Sequence, residues 1–222
     1  MNRTSVSFDI NRGNWGNRHI FPDVVYADTN SVVDIFAQRT HGQLVEDYLK
    51  RLIQNDGMII WSQHTMNEIT DFVHYNQYIQ LADQKNIIGN KRMKIAEDTA
   101  TDIESREIAE KVIMQTDSIK GYLEQFGTQV EQDEQKVIEL ARRLYGSHGN
   151  SMKDCRHVAS ANLEGVNSIL TQDVGFLRFP NLNVYGASYK LKQGYKTSNT
   201  PAPYIDLSTL GNSEDEKEQD TA

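Results

Sequence analysis

The sequence has few features that would place it outside the cytoplasm. Cys155 is the only cysteine among 222 residues, so no disulfide can form within the chain. No apolar run approaches the roughly 18 residues that a membrane-spanning helix needs. Residues 1–8 also lack the apolar core of a signal peptide. We therefore expect a cytoplasmic protein that has no membrane partner.

Three common catalytic motifs are missing as well. The six histidines form no His-Glu-x-x-His pair, which argues against a zinc protease. No glycine-rich loop of the Walker or dinucleotide-binding type is present. Cys155 and His157 are close neighbours in one predicted helix and face different directions, so a thiol-protease dyad is not expected. Any chemistry therefore has to rest on other residue types.

The chain also lacks the basic excess of a typical nucleic-acid-binding protein, since its net charge is −8. Residues 213–222 contain five acidic residues and one lysine, a net charge of −4. Four further carboxylates are candidate metal ligands, and bound divalent cations would offset their charge. The remainder is close to neutral, with small basic clusters that are typical of solvated surface. A nucleic-acid substrate is therefore not excluded.

Short apolar runs separated by helical periodicity predict an α/β fold. A continuous apolar run is typical of a strand that is buried on both faces of a parallel sheet. The predicted strands are residues 24–27, 58–61, 169–170 and 183–185. Because helical patterns separate them, we expect a three-layer α/β/α domain with a mainly parallel central sheet.

Composition divides the chain into three parts. Residues 1–21 are polar and rich in asparagine and glycine, so we interpret them as an N-terminal extension. Residues 22–189 hold the predicted strands and form the domain. Residues 190–222 are polar and then acidic, with too little apolar content to fold alone, and we expect a disordered tail there.

A long helical segment separates the second and third predicted strands. Its apolar residues recur at helical spacing, which predicts a helical insertion at about 85–146. Gly146 is the expected stop of its last helix. The insertion could form a dimer face or a lid, and simple packing on the sheet is the plainer alternative.

Four carboxylates occupy positions from which a βαβ chain would direct side chains into one cleft. Asp28 follows the first predicted strand, and Asp173 follows the strand at 169–170. Glu68 lies near the start of the helix after the second strand, and Asp154 opens a later helix. Ligands of parallel sheets bind beyond the carboxyl ends of the strands. Clustered acids are unfavourable unless a cation lies among them, so the pattern predicts a metal centre.

Each of these acids also has a structural alternative. Asp28 could cap the helix that follows it, and Asp173 could be an ordinary turn residue. Glu68 and Asp154 each stand three positions after a threonine or a serine, as in a capping box. Taken singly, these structural roles are the more common ones, but the order of the acids along the chain favours a shared site.

The motifs around these acids resemble those of the PIN-domain nucleases. The matching pieces are Asp28-Thr29-Asn30 after the first strand, the single Glu68 on a following helix, and a C-terminal block. That block consists of Asp154, Val158-Ala159-Ser160-Ala161 and Leu170-Thr171-Gln172-Asp173-Val174-Gly175-Phe176. The resemblance spans roughly residues 22–187, and the C-terminal block is its specific part.

The resemblance implies a metal-dependent endoribonuclease that leaves 5′-phosphate and 3′-hydroxyl ends. It implies a set of catalytic residues that hold Mg²⁺ or Mn²⁺, namely Asp28, Glu68, Asp154 and Asp173. Asn30 and Thr171 would orient the phosphate or a ligand, or else satisfy backbone groups. Similarity to the VapC-type toxins further implies an RNA substrate, an antitoxin-like protein inhibitor and a homodimer as candidate partners.

Other functions stay open at the level of the sequence. A larger stand-alone PIN nuclease for RNA processing or defence fits the extra length. A structure-specific DNA nuclease would use the same chemistry, and a PIN-like RNA-binding module would keep the acids with weak or no catalysis. A phosphatase of the haloacid-dehalogenase type is a poor match, because Asn30 stands where that family needs a second aspartate.

Overall fold

The computed structural model describes residues 5–10 and 21–192 and, for the backbone alone, residues 204–206. Of the tail predicted at 190–222, residues 193–203 and 207–222 lie outside the described residues, as do residues 1–4 and 11–20 of the extension predicted at 1–21.

The first of two compact units, residues 1–62 with 126–222, contains a parallel sheet of seven strands. In chain order the strands are β1 (Val6–Asp9), β2 (Val24–Ala27), β3 (Met58–Trp61), β4 (Gly127–Gln129), β5 (Ser168–Leu170), β6 (Asn183–Gly186) and β7 (Tyr204–Asp206). They lie in the order β4-β3-β2-β5-β6-β1-β7, and every neighbouring pair is parallel. The predicted α/β fold is confirmed, and the four predicted strands are β2, β3, β5 and β6.

Eight helices accompany these strands within the described residues. They are α1 (Thr29–Phe36), α2 (Gly42–Gln54), α3 (Gln63–Gln84), α4 (Arg92–Asp98), α5 (Asp102–Leu123), α6 (Glu134–His148), α7 (Met152–Leu163) and α8 (Tyr189–Lys192). A short 3-10 helix, Val174–Arg178, follows β5. Within this part of the chain, no helix combines the length and the apolar content needed to span a lipid bilayer.

Helices cover both faces of the sheet in the first unit. Val184 of β6 lies in a buried cluster with Val158 of α7 and Val137 of α6. Its neighbour Tyr185 points to the opposite face, because side chains alternate along a strand. There its ring lies 5.8 Å from the ring of Tyr48 in α2. The three layers predicted from the sequence, helix, sheet and helix, are therefore present in this unit.

Three strands were not predicted: β7 lies in the segment assigned to the C-terminal tail, and the residues of β1 and β4 form no continuous apolar run. Val6–Asp9, which was assigned to an N-terminal extension, forms β1 between β6 and β7. Its buried positions are the polar residues Ser7 and Asp9, which hides the strand from a hydrophobicity pattern. β4 is only three residues long, and a Cβ at Gly127 would lie 1.7 Å from the carbonyl oxygen of Ile59. The close approach of the two backbones therefore requires glycine there.

The second unit, residues 63–125, is helical, and in it α3 packs on α4 and α5. Buried apolar side chains of α3 and α5 include Ile69, Val73, Leu81, Ile108, Val112, Ile119 and Leu123. α5 begins with a capping box in which Thr101 and Glu104 exchange hydrogen bonds. The Lys85 amine and the Thr101 backbone, both bonded to the Glu104 carboxylate, lower the pKa of Glu104 to about 2.

The bounds of the helical insertion differ from the predicted range of about 85–146. α6 belongs to the first unit, because Val137 and Ala141 join the buried cluster that α7 forms with the sheet. α6 also continues through Gly146 and ends at His148; its C-cap residue is Gly149, whose φ of 64° lies in the left-handed region that glycine adopts readily. The predicted helix stop at Gly146 is therefore wrong.

Candidate metal centre

The order of the strands creates a switch point between β2 and β5. From β2 the chain runs to β3 and β4 on one side, and it returns to β5 and β6 on the other side of β2. At such a point a crevice opens beyond the carboxyl ends of the two strands, and ligands of parallel sheets bind there. Ala27 and Leu170 are register partners at these ends. The residues that follow them, Asp28 and Thr171, therefore enter the crevice side by side.

Asp28 is directed towards β5 and α7 rather than towards its own helix. It occupies the N-cap position of α1, yet its side chain makes no capping hydrogen bond. Its Oδ2 instead accepts a hydrogen bond from the Thr171 hydroxyl at 2.7 Å, and its Oδ1 lies 3.3 Å from Nε2 of His157. The side-chain capping role considered from the sequence is therefore wrong for this residue.

Thr171 joins Asp28 to Asp173. Besides donating to Asp28, the Thr171 hydroxyl accepts a hydrogen bond from the backbone N–H of Asp173 at 3.0 Å. It thus satisfies a backbone group and contacts a candidate ligand, while its role in orienting that ligand stays a prediction. Asp173 in turn accepts from the backbone N–H of Gly175 at 2.7 Å, which is the turn role that the sequence allowed.

Asp154 lies in the first turn of α7 beside the N-cap residue Ser151. The Ser151 hydroxyl accepts from the backbone N–H of Asp154 at 3.1 Å, as in a helix cap. Burial raises the pKa of the Asp154 carboxyl, and the negative charge of Asp173 raises it further. Hydrogen bonds from Ser151 and the nearby His157 ring act in the opposite direction. Asp154 therefore combines a capping role with a position beside Asp173.

Gly175 leaves space between two of the carboxylates. A Cβ at this residue would lie 3.2 Å from Oδ1 of Asp173 and 3.4 Å from Oδ2 of Asp154. Asn150, which is 5% exposed, donates from Nδ2 to the Gly175 carbonyl at 2.8 Å and so fixes this loop. Carboxylate oxygens from separate segments, facing a position where a side chain is absent, fit a hard divalent cation.

Glu68 belongs to the second unit. It lies in the second turn of α3, and its Oε1 is 3.9 Å from Nε2 of His64 on the same helix. Because α3 begins at Gln63, Thr65 is inside the helix rather than at its N-cap. The capping-box alternative for Glu68 is therefore wrong, while its role as a metal ligand stays a prediction.

Asn30 was predicted as a supporting residue of the site, whereas His157 was not. Asn30 is exposed in the first turn of α1, and its predicted role stays a prediction. His157 was not predicted as part of the site, although it is 1% exposed and contacts Asp28. Its spacing of three positions from Asp154 places both side chains on one face of a helix. That spacing is the signal that could have found it.

Comparisons with known proteins give only distant likenesses. No family model and no curated protein sequence matches the chain. VapBC2 from Rickettsia felis, solved bound to a DNA fragment from their promoter, is similar over 73% of this chain and 98% of that chain, with 17% identity and a TM-score of 0.46. FitAcB from Neisseria gonorrhoeae is similar over 72% of this chain and 96% of its own chain, with 16% identity and a TM-score of 0.41. At these TM-scores neither likeness decides the fold, which rests on the strand order itself.

Proposed function

We propose that this chain is a PIN-type, divalent-metal-dependent nuclease that hydrolyses phosphodiester bonds of RNA. The observation that carries the proposal is the arrangement of three carboxylates at the switch point of the sheet. The Thr171 hydroxyl joins the Asp28 carboxylate to the backbone N–H of Asp173, and the carboxylates of Asp173 and Asp154 both lie next to Gly175. In this proposal the metal ligands are Asp28, Glu68, Asp154 and Asp173.

The donor set determines which ions are proposed. Carboxylate oxygens suit hard cations such as Mg²⁺ and Mn²⁺. Such an ion, when bound, activates a water molecule, orients the phosphodiester and stabilises the leaving oxygen. Asp154 and Asp173 are partly exposed and would face the substrate, whereas the buried Asp28 would form the floor of the site.

The supporting residues have separate roles in this proposal. The Thr171 hydroxyl is buried and already bonded to Asp28, so it orients that carboxylate rather than the substrate. Asn30 is exposed close to Asp28 in sequence, and we propose that its amide orients the substrate phosphate. The expected products carry 5′-phosphate and 3′-hydroxyl ends.

The test compares cleavage by the wild-type chain, Asp154→Asn and Glu68→Gln on a mixed RNA panel with Mn²⁺, Mg²⁺ or EDTA. Wild-type cleavage should need a divalent ion, and each variant should be slowed strongly because a charged ligand is lost. Asp133→Asn is a matched control, since Asp133 is an N-cap residue of α6 and asparagine caps equally well. Equal cleavage by Asp154→Asn would mean that the activity arises elsewhere.

Substrate class is settled by the same experiment with flap and hairpin DNA added. Preferential cleavage of these DNAs would favour the structure-specific DNA nuclease. Tight RNA binding without turnover under any divalent ion would favour the binding module.

The toxin role is proposed from the resemblance to VapC-type proteins. Expression from a tightly controlled promoter should arrest growth, and Asp28→Ala should relieve the arrest. An antitoxin-like inhibitor would then restore growth when expressed together with the wild-type chain. Growth that is unaffected by the wild-type chain would instead favour a nuclease of RNA processing or defence.

A further inference from the structure

A series of buried polar side chains begins at Asp28. Oδ1 of Asp28 lies 3.3 Å from Nε2 of His157, and Nδ1 of His157 lies 3.2 Å from the hydroxyl of Tyr26. That hydroxyl is 2.7 Å from Oγ of Ser62. His157, Tyr26 and Ser62 are 1%, 0% and 4% exposed. Because bulk water cannot reach these side chains, each polar group depends on the adjacent side chain of the series for this hydrogen bond.

The carboxylate of Asp28 fixes the direction of the first hydrogen bond in this series. An ionised carboxylate only accepts, so Nε2 of His157 carries the proton and donates to Asp28. Nδ1 of His157 forms the next hydrogen bond with the Tyr26 hydroxyl, and that hydroxyl forms another with Oγ of Ser62. A carboxylate has about four lone-pair sites. Donors from His157 and Thr171 therefore fix the orientation of Asp28 without exhausting its capacity to bind a cation.

This series of hydrogen-bonded side chains connects three elements that border the crevice. Ser62 directly follows β3, Tyr26 lies in β2, and His157 lies on α7 three residues after Asp154. α7 thus supplies one proposed ligand and also contacts another. Groups that hydrogen-bond a metal ligand usually hold it in its binding orientation, and their loss weakens metal binding.

We propose that His157 and Tyr26 are positioning residues that hold Asp28 in the orientation required for metal binding, without touching the ion themselves. This inference rests on the proposed metal-dependent function. The two positioning residues are not among the four proposed carboxylate ligands. They act on Asp28 through its Oδ1, the atom that faces His157.

The experiment measures Mn²⁺ binding to the full chain by electron paramagnetic resonance. The variants are Tyr26→Phe, His157→Leu and His157→Gln. His157→Leu should raise the half-saturating Mn²⁺ concentration by about 10- to 100-fold, and Tyr26→Phe should raise it less. His157→Gln should recover much of the affinity, because its amide N–H can still donate to Asp28. Recovery by a donor of different shape would not follow from a purely packing role.

Tyr48→Phe is the matched control for the loss of a buried hydroxyl. Tyr48 is 0% exposed, and its hydroxyl has no hydrogen-bond partner among the described residues. This variant should bind Mn²⁺ as the wild-type chain does. Circular dichroism in EDTA establishes that each variant folds. Tyr26→Phe, which keeps the ring, decides the question if His157→Leu does not fold.

Several outcomes would overturn the inference. Unchanged Mn²⁺ affinity in folded Tyr26→Phe and His157→Leu would show that neither residue holds Asp28. Nitrogen modulation in pulsed spectra of the wild-type complex that disappears in His157→Leu would show that the ring binds the ion directly. A wild-type chain that binds no Mn²⁺ would remove the proposed function as well. Binding and cleavage that are insensitive to both substitutions would remove this inference alone.

Discussion

The hydroxyl of Thr171 donates a hydrogen bond to Oδ2 of Asp28 at 2.7 Å, across 143 positions of sequence. Both residues are buried, with exposures of 0% and 3%. They follow neighbouring parallel strands whose connections leave in opposite directions. This bond therefore fixes the carboxylate at the point where the sheet opens a crevice.

Thr171→Val should destabilise the fold and weaken Mn²⁺ binding, whereas Thr171→Ser should do neither strongly. Valine has nearly the same shape but leaves Asp28 without this donor and the Asp173 N–H without its acceptor. Leaving a buried polar group unsatisfied costs about 1–3 kcal/mol. Urea unfolding in EDTA measures the change in stability. A serine variant as unstable as the valine variant would show that the methyl group, not the hydroxyl, matters.

Gly175→Ala should weaken metal binding with little effect on stability in EDTA. Gly175 does not adopt a positive φ, so alanine causes no backbone strain. Its Cβ would nevertheless lie 3.2 Å from Oδ1 of Asp173, so that carboxylate must move by a few tenths of an ångström, while Oδ2 of Asp154 at 3.4 Å would be in ordinary contact. Calorimetry with Mn²⁺ measures the loss of affinity.

Gly146→Ala is the matched control for that substitution. Gly146 lies within α6 and a Cβ there would contact nothing within 4 Å. The Gly146→Ala substitution should stabilise the fold by about 0.5–1 kcal/mol, because glycine is unfavourable inside a helix. Mn²⁺ affinity should not change. Equal effects of the two alanine substitutions on Mn²⁺ affinity would remove Gly175 from the site.

The strands at the centre of the sheet were predictable because burial on both faces requires continuous apolar runs. Val24–Ala27 and Met58–Trp61 show this pattern, and they are β2 and β3. β1 was not predictable in this way, since Ser7 and Asp9 fill its buried positions. Its pairing with β6 joins residues nearly the whole chain apart, and no local pattern carries that information.

The positions of the candidate ligands were predictable to the extent that they depend on strand ends. Asp28 and Asp173 follow β2 and β5, and a parallel sheet brings such residues to one edge. Apart from its spacing of three positions from Asp154, His157 shows no sign in the sequence of a buried hydrogen-bond partner. That partner, Tyr26, lies 131 positions away, and only the packing of α7 on β2 brings the two together.

Asp154→Asn should make the metal-free chain more stable at neutral pH. Burial and then the charge of Asp173 raise the pKa of Asp154 above its usual value near 3.8. The folded state therefore binds more protons than the unfolded state, and wild-type stability decreases as pH rises through this window. Asparagine removes the titrating group. The advantage of the variant should be largest at pH 7 and should shrink towards about pH 4.

Urea midpoints of the wild-type chain and Asp154→Asn across this pH range, in EDTA, measure the difference. Asp133→Asn should show no comparable trend, because Asp133 is an exposed N-cap residue. An advantage of Asp154→Asn that grows as pH falls would contradict the raised pKa.

Mn²⁺ should raise the melting temperature of the wild-type chain, and Asp173→Asn should lose much of this shift. An ion that binds only the folded state stabilises it by about 2.7 kcal/mol at a concentration of 100 times its Kd. For a chain of this size that corresponds to several degrees. Asp173 contributes a charged oxygen beside Asp154, so its neutralisation removes attraction for the ion and also relieves repulsion in the metal-free state. The variant should consequently melt at or above the wild-type temperature in EDTA and below it with Mn²⁺.

Differential scanning calorimetry with and without the ion measures this crossing, and Asp133→Asn should follow the wild-type chain in both conditions. A wild-type chain whose melting temperature does not respond to millimolar Mn²⁺ or Mg²⁺ has no metal centre of the kind proposed.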